Sequence, residues 1–217
     1  SPQGVIGLFP PWFGPRQPDW PARFHHASFP LWDEVGPTVP DPGLDAFLDA
    51  GPPPNVFSPG SANRQAAAFF AAATGAVAAL GARAIFLTGY PEQLPPGLPD
   101  TILHRHYVPF SRVLPRAAVF VHHGGIGSTA QGLAAGIPQL MMPMGFDQPD
   151  NALRTERLGA GRWLSPRRFT ATRVAGVLAS LRDDAGPRAA AGALRDRLRE
   201  RAGIDIAAEI IERHAHS

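Results

Sequence analysis

Residues 118–133 read Ala-Val-Phe-Val-His-His-Gly-Gly-Ile-Gly-Ser-Thr-Ala-Gln-Gly-Leu: an apolar run, two histidines, three closely spaced glycines and then helix-forming residues. This is the pattern of a buried strand that ends in a tight turn and opens a helix. Glycines let backbone amides approach an anion closely. The first turn of the helix adds N–H groups without intrahelical partners, at the positive end of the helix dipole. Ser128 and Thr129 would supply hydroxyl donors, and an imidazole at the end of the strand, His122 or His123, would donate to the same anion. The stretch Ser128-x-x-Gln131 fits a second role as well, that of a capping box that satisfies the helix start and nothing more. The spacing matches neither G-x-G-x-x-G nor the lysine-bearing phosphate loop, so it does not identify the ligand.

On either side of this stretch, from Asn55 onward, short apolar runs alternate with longer amphipathic ones, as expected of parallel strands joined by crossover helices. The class is α/β. Strands are expected near Val56–Ser58, Ala84–Leu87, Thr101–His104, Ala118–His122, Gln139–Met142 and Arg162–Leu164. Helices are expected over Asn63–Leu80, closed by Gly81, and up to Leu158, closed by Gly159, each glycine sitting where a left-handed residue ends a helix. Thr170–Leu181 and Arg188–Arg213 complete a helical carboxyl terminus. No repeat of fixed period is present.

The first 54 residues differ. They hold 13 of the 25 prolines, which lack an amide donor and disfavour helix interiors and central strands, so the region is expected to be extended and irregular. It also carries Trp12, Trp20 and Trp32 with Phe9, Phe13, Phe24 and Phe29, too much apolar surface for a disordered tail. Such a segment needs a surface, either the flank of its own domain or a partner domain to which it bridges. We divide the chain into a proline- and aromatic-rich interdomain segment, 1–54, and a compact domain, 55–217.

Composition narrows the function. All 20 basic residues are arginine, so the pI of about 9.9 overstates a net charge of only +2. The arginines are scattered among 18 carboxylates with no basic stripe, which argues against nucleic-acid binding. Cysteine is absent, which removes disulfides and thiolate metal sites. There is no transmembrane segment of roughly 20 apolar residues and no leader pattern, so a cytoplasmic, untargeted protein is expected.

Beyond the glycines, three blocks occur in order: Tyr107-Val108-Pro109-Phe110 followed by Val113-Leu114; His122-His123-Gly124-Gly125-Ile126-Gly127-Ser128-Thr129; and Gly136-Ile137-Pro138 leading to Pro143, Asp147-Gln148 and Asn151-Ala152. With Gly60-Ser61 after the first strand and Phe29-Pro30-Leu31-Trp32-Asp33 upstream, the chain resembles the UDP-glycosyltransferase superfamily, particularly its bacterial macrolide-type and sterol-type members, over nearly its whole length. The resemblance implies a Rossmann-like parallel sheet flanked by helices, the carboxyl-terminal, donor-binding half of a two-domain GT-B glycosyltransferase.

It further implies that His123, rather than His122, contacts the donor diphosphate, with Gly124, Gly125, Gly127, Ser128, Thr129 and Ser61 completing the cradle. Asp147 and Gln148 match the pair that holds hydroxyls of the transferred sugar. Tyr107 and Val108 occupy base-binding positions, and Gln131 stands where many relatives place a ribose-binding glutamate. Phe110 replaces a usual glutamine, and Ser58-Pro59 precedes Gly60-Ser61 in place of the common pattern. From the residues alone, Asp147-Gln-Pro-Asp-Asn is equally a helix start.

The resemblance therefore implies a hexosyltransferase fragment that binds a UDP-sugar or TDP-sugar, inverting and needing no metal or other cofactor. The catalytic base and the small-molecule acceptor site would belong to a missing amino-terminal domain, leaving no catalytic residue in this chain. Alternatives are a nucleotide-sugar epimerase of the same fold, which an acidic base in the site would favour, and a non-catalytic binding module. His104 with His106, and His214 with His216, lack acidic or cysteine partners at metal-ligand spacing. His25-His26 is assigned to packing or capping, Arg167-Arg168 to a solvated loop, and Met141, Met142 and Met144 to core and pocket wall.

Overall fold

The computed structural model describes residues 4–33, 40–61, 63–200 and 202–215; His216 lies outside them, as does the side chain of His214. Six parallel strands form the central sheet: β3 (Asn55–Ser58), β4 (Ala84–Leu87), β5 (Ile102–Arg105), β6 (Phe120–His122), β7 (Gln139–Met141) and β8 (Gly161–Trp163). Their order, β5-β4-β3-β6-β7-β8, shows that the chain winds outward from β3 to one edge and then returns to the other side of β3 with β6. All six expected strands are present, within two residues of the expected starts and ends.

Helices cover both faces of the sheet, and the pleat sorts the side chains between them. Phe57, Phe86, Val119 and Val121 point to one core, shared with α2 (Ala67–Ala79) and α6 (Ala171–Asp183). Val56, Ile85, Leu87 and Phe120 point to the other, where they meet α1 (Pro42–Asp49) and the short α3 (Phe110–Val113). Strand residues buried on both faces explain the near-continuous apolar runs in the sequence. Gly81 and Gly159 do adopt positive φ at their helix ends, +54° and +76°.

The amino-terminal segment departs from the irregular chain expected of it. It contains a two-stranded parallel ribbon, β1 (Val5–Gly7) with β2 (Phe24–His26), and the helix α1. Proline does not prevent α1, because Pro42 falls in the first turn, where its missing donor has no intrahelical acceptor to lose, and Asp41 caps the start by accepting from the Leu44 amide at 2.9 Å. Asp41, Asp45 and Asp49, four residues apart on one face, pair with Arg105, Arg112 and Arg116. The forked contact of Arg105 at 2.6 and 2.9 Å holds the Asp41 carboxyl down at about 2.

The aromatic residues of this segment lie on the flank of their own domain. Phe13 and Phe29 pack with Leu133 of α4 (Ile126–Ala135) and with Leu194 and Leu198 of α7 (Ala185–Arg199). Ala27 packs with Ala207 and Ile210 of α8 (Gly203–Ala215). The single carboxyl-terminal helix expected over Arg188–Arg213 is thus two helices, α7 ending at Arg199 and α8 beginning at Gly203. Gly203 is where the amino-terminal segment crosses, since a Cβ there would lie 2.4 Å from the Phe29 carbonyl oxygen. Among the described residues no helix is long and apolar enough to cross a membrane.

Candidate functional site

In an open parallel sheet, the carboxyl ends of the two strands at which winding reverses diverge and leave a crevice. Here those strands are β3 and β6, and the turns that follow them, Pro59-Gly60-Ser61 and His123-Gly124-Gly125, face each other. Between them lies a crevice of about 780 Å³. Ser61, Tyr107, Val108, His123, Ser128 and Gln148 all line it.

The two adjacent histidines have opposite environments. His122 is fully buried and stacks on Phe120. Its Nδ1 accepts from the Gly124 amide at 3.0 Å, which makes Nε2 the protonated nitrogen, donating to Gln139 Oε1 at 2.8 Å. Burial pushes its pKa down to about 3. Gln139 passes the chain on, its Nε2 donating to the Thr129 carbonyl at 3.3 Å. His123 instead faces the crevice. Its ring is held between Gly60 and Gly125, where a Cβ would lie 3.0 and 2.5 Å from ring atoms. Burial lowers its pKa against the opposing pull of the Asp147 carboxylate, so the ring is neutral at pH 7. His123 Nδ1 is buried without a hydrogen-bond partner among the described residues.

The loop between strand and helix is fixed from behind. Gly124 has φ +87°, and a Cβ there would come within 3.1 Å of the Gln148 carbonyl oxygen, so glycine serves both the turn and the close approach of α5 (Gln148–Arg157). Asn151 of α5 donates to the Gly124 carbonyl at 3.0 Å and to Asp147 Oδ2 at 2.8 Å. Both backbone groups of Gly124 are therefore committed to the protein.

The capping box at Ser128 does not form, whereas Asp147-Gln-Pro-Asp-Asn does start a helix, with Asp147 as the cap residue of α5 and Pro149 in its first turn. Helix α4 begins at Ile126 with Gly125 as its cap residue, and no side chain caps it; Ser128 is the third helical residue and Gln131 donates to the Trp32 carbonyl at 2.7 Å. Thr129 N–H closes the first turn on the Gly125 carbonyl at 3.0 Å, so the amides of Ile126, Gly127 and Ser128 have no intrahelical acceptor. At the start of α5 the cap is made by the backbone position alone, because the Asp147 side chain makes no cap bond. Gln148 Oε1 accepts from the amides of Met144 at 2.8 Å and Gly145 at 3.3 Å, which leaves its NH2 as the group available to a ligand.

One expected contact is displaced. Thr129 is fully buried, and its hydroxyl donates to the carbonyls of Gly125 at 3.1 Å and Gly124 at 3.4 Å; it braces the turn from within and offers nothing to the crevice. Asp147 is exposed and lies outside the crevice lining, between Phe146 and Gln148, which are part of it. Phe146 itself was not singled out by its sequence. It has φ +58° and is 99% exposed, a backbone conformation uncommon for a bulky residue. Among the other histidines, His104 Nε2 bonds the Thr88 carbonyl at 3.0 Å and His106 lines the crevice.

Known proteins resemble this chain closely enough to place it. The family described as erythromycin biosynthesis protein CIII-like, C-terminal domain, matches residues 75–213. An O-mycaminosyltylonolide 6-deoxyallosyltransferase of Streptomyces fradiae is 32% identical over 96% of this chain and 49% of its own length. A vancomycin aglycone glucosyltransferase of Amycolatopsis orientalis is 40% identical over 55% of this chain and 29% of its own. The crystal structure of the glycotransferase of kitacinnamycin superposes with a TM-score of 0.83 at 26% identity, covering 98% of this chain and 55% of that one. A spinosyn forosaminyltransferase gives 0.80 at 25% identity with the same coverage. The chain thus spans about half the length of the first of these relatives and of both solved structures.

Proposed function

Because the chain belongs to the erythromycin biosynthesis protein CIII-like C-terminal domain family and has the fold of the carboxyl-terminal half of a GT-B glycosyltransferase, we propose that it binds the nucleoside diphosphate sugar from which a hexosyl group is transferred to an acceptor hydroxyl. The observation that carries this reading is the uncapped start of α4, set beside the crevice-facing ring of His123 at the switch point of the sheet. Three amides, the helix dipole, an imidazole N–H and the Ser128 and Ser61 hydroxyls converge where two linked phosphates would lie.

Such a cradle stabilises a departing nucleoside diphosphate by fixed dipoles and needs no metal. The NH2 of Gln148 and the carboxylate of Asp147 offer a donor and an acceptor to neighbouring sugar hydroxyls. Tyr107 and the Val108 backbone would hold the base, and Gln131 Oε1, free to accept once its NH2 is bound to Trp32, would meet the ribose. Residues 1–54 would run between the halves and 55–217 hold the donor, with α1 already part of the donor half's core. The acceptor, the base that activates it and the face of attack, which we take to give inversion, belong to an amino-terminal half. In this scheme the present chain binds donor but turns nothing over alone, and works in the cytoplasm, where nucleotide sugars are available. Among the described residues the crevice lining itself holds no carboxylate, and Asp147 at its rim is assigned to the sugar hydroxyls and not to proton abstraction, so an epimerase is not favoured.

Calorimetric titration with UDP, TDP and their sugars, with and without EDTA, tests the proposal. We expect micromolar to millimolar binding unaffected by the chelator, and about a tenfold or greater loss in His123→Ala. Absence of binding to every one of these ligands would refute it.

A further inference from the structure

A second groove, of about 670 Å³, adjoins the crevice and shares Tyr107, Phe110 and Ser128 with it. Its near wall is the first two turns of α4, including Gly127 and Gln131; its far wall is the amino-terminal segment at Leu31, Trp32 and Asp33. That segment is pinned at two successive residues. The Trp32 carbonyl accepts from Gln131 Nε2 of α4 at 2.7 Å, and the Asp33 carboxylate accepts from the Ser111 amide in the first turn of α3 at 2.5 Å. The backbone is thus strapped across the gap between two helices that both border the donor crevice. The Trp32 indole, placed by these two bonds, stays 79% exposed, and Tyr107 on the same groove is 53% exposed.

An indole held by its backbone and left open to water gains nothing for the fold, whereas two aromatic rings on the borders of one groove form a stacking site for a planar base. Continuity decides the occupant: Ser128 and Gly127 belong to the phosphate-binding turn and also line this groove, so a nucleoside joined to a diphosphate on α4 would extend into it. We propose that Trp32 is a nucleoside-contacting residue of the donor site, covering the face of the nucleoside remote from Tyr107, with Gln131 tying the strap to the ribose position. The inference rests on the donor-binding reading and assigns the amino-terminal segment a part in it.

The test compares Trp32→Ala and Trp32→Phe with the unaltered chain in binding UDP and TDP, with inorganic pyrophosphate as a competing ligand and thermal melting as a fold control. We expect Trp32→Ala to lose about tenfold in affinity for both nucleotides while pyrophosphate competes as before, and Trp32→Phe to stay within about threefold, since a phenyl ring still stacks. Nucleotide-induced quenching of tryptophan fluorescence should vanish in Trp32→Phe although binding persists. Unchanged nucleotide affinity in Trp32→Ala, or a parallel loss of pyrophosphate competition, would overturn the proposal and leave donor binding standing. Failure of the unaltered chain to bind any ligand would bring down both.

Discussion

His122 and His123 are neighbours with the same side chain, yet one belongs to the interior and the other to the site. Behind the turn, His122, Gln139, Thr129, Asn151 and Gly124 satisfy one another's donors and acceptors with no exposed member. In front of it, among the described residues, His123 Nδ1 and the start of α4 are left without side-chain partners of that kind. The contrast teaches that the open donors are an arrangement supported from the rear: a turn this poor in its own bonds holds its shape because the layer beneath it is fully bonded. Variants on the two sides should therefore fail in different measurements.

The largest effect belongs to the rear. His122→Ala removes a stacked, buried ring and orphans both Gln139 Oε1 and the Gly124 amide, so we expect a loss of about 3 kcal/mol in denaturant unfolding. The same residue sets an acid dependence. Its folded pKa of about 3 lies below the ordinary 6.5, so the unfolded chain takes up the proton first. The stability it contributes is complete above pH 6.5 and declines as pH falls from there toward 3, by about 1.4 kcal/mol per unit. Unfolding measured from pH 7 to 4 should show a shallower decline in His122→Ala than in the unaltered chain; equal slopes would mean that the rear layer is not what acid attacks.

Next in size is a change at the front that leaves the rear alone. Gly125 has φ −59° and ψ 144°, open to any residue, yet an added Cβ would lie 2.5 Å from His123 Nε2. Gly125→Ala should push the ring aside and cost about tenfold in UDP or TDP affinity with less than about 1 kcal/mol in stability. A large drop in melting temperature would show that front and rear are not separable at this residue.

The sheet was legible because strands buried on both faces write themselves as unbroken apolar runs, and Gly81 and Gly159 marked helix ends by the conformation only glycine adopts cheaply. Helix α1 was not, because five of its eight residues are not strong helix formers and its support is long-range: Asp41, Asp45 and Asp49 find their arginines more than 60 residues away. The break before α8 is likewise a tertiary event, imposed by the chain crossing at Gly203. At the site, spacing located the turn but offered both histidines and a capping box. Local sequence does not say where a helix begins to within a turn, and α4 starts two residues before Ser128, which turns a cap into a first-turn residue and Thr129 into a brace. The resemblance to known glycosyltransferases pointed to His123; in the structure His123 faces the crevice, while His122 has both nitrogens engaged.

Asp147 tests whether any residue serves both sides at once. Its Oδ2 is held by Asn151, which also binds the Gly124 carbonyl, while its charge acts on His123 in front. Asp147→Asn keeps an oxygen for Asn151 to donate to, so the rear should be undisturbed and UDP should bind as before. What the amide removes is the negative charge, and with it the stronger acceptor for a sugar hydroxyl, worth about threefold in affinity. That loss should appear only with the sugar nucleotides, as a reduced ratio of UDP-sugar to UDP affinity. A fall shared equally by UDP would mean that the carboxylate works through the turn, by orienting Asn151 and Gly124, and the division between a bonded rear and an open front would then have to be drawn on the far side of Asp147.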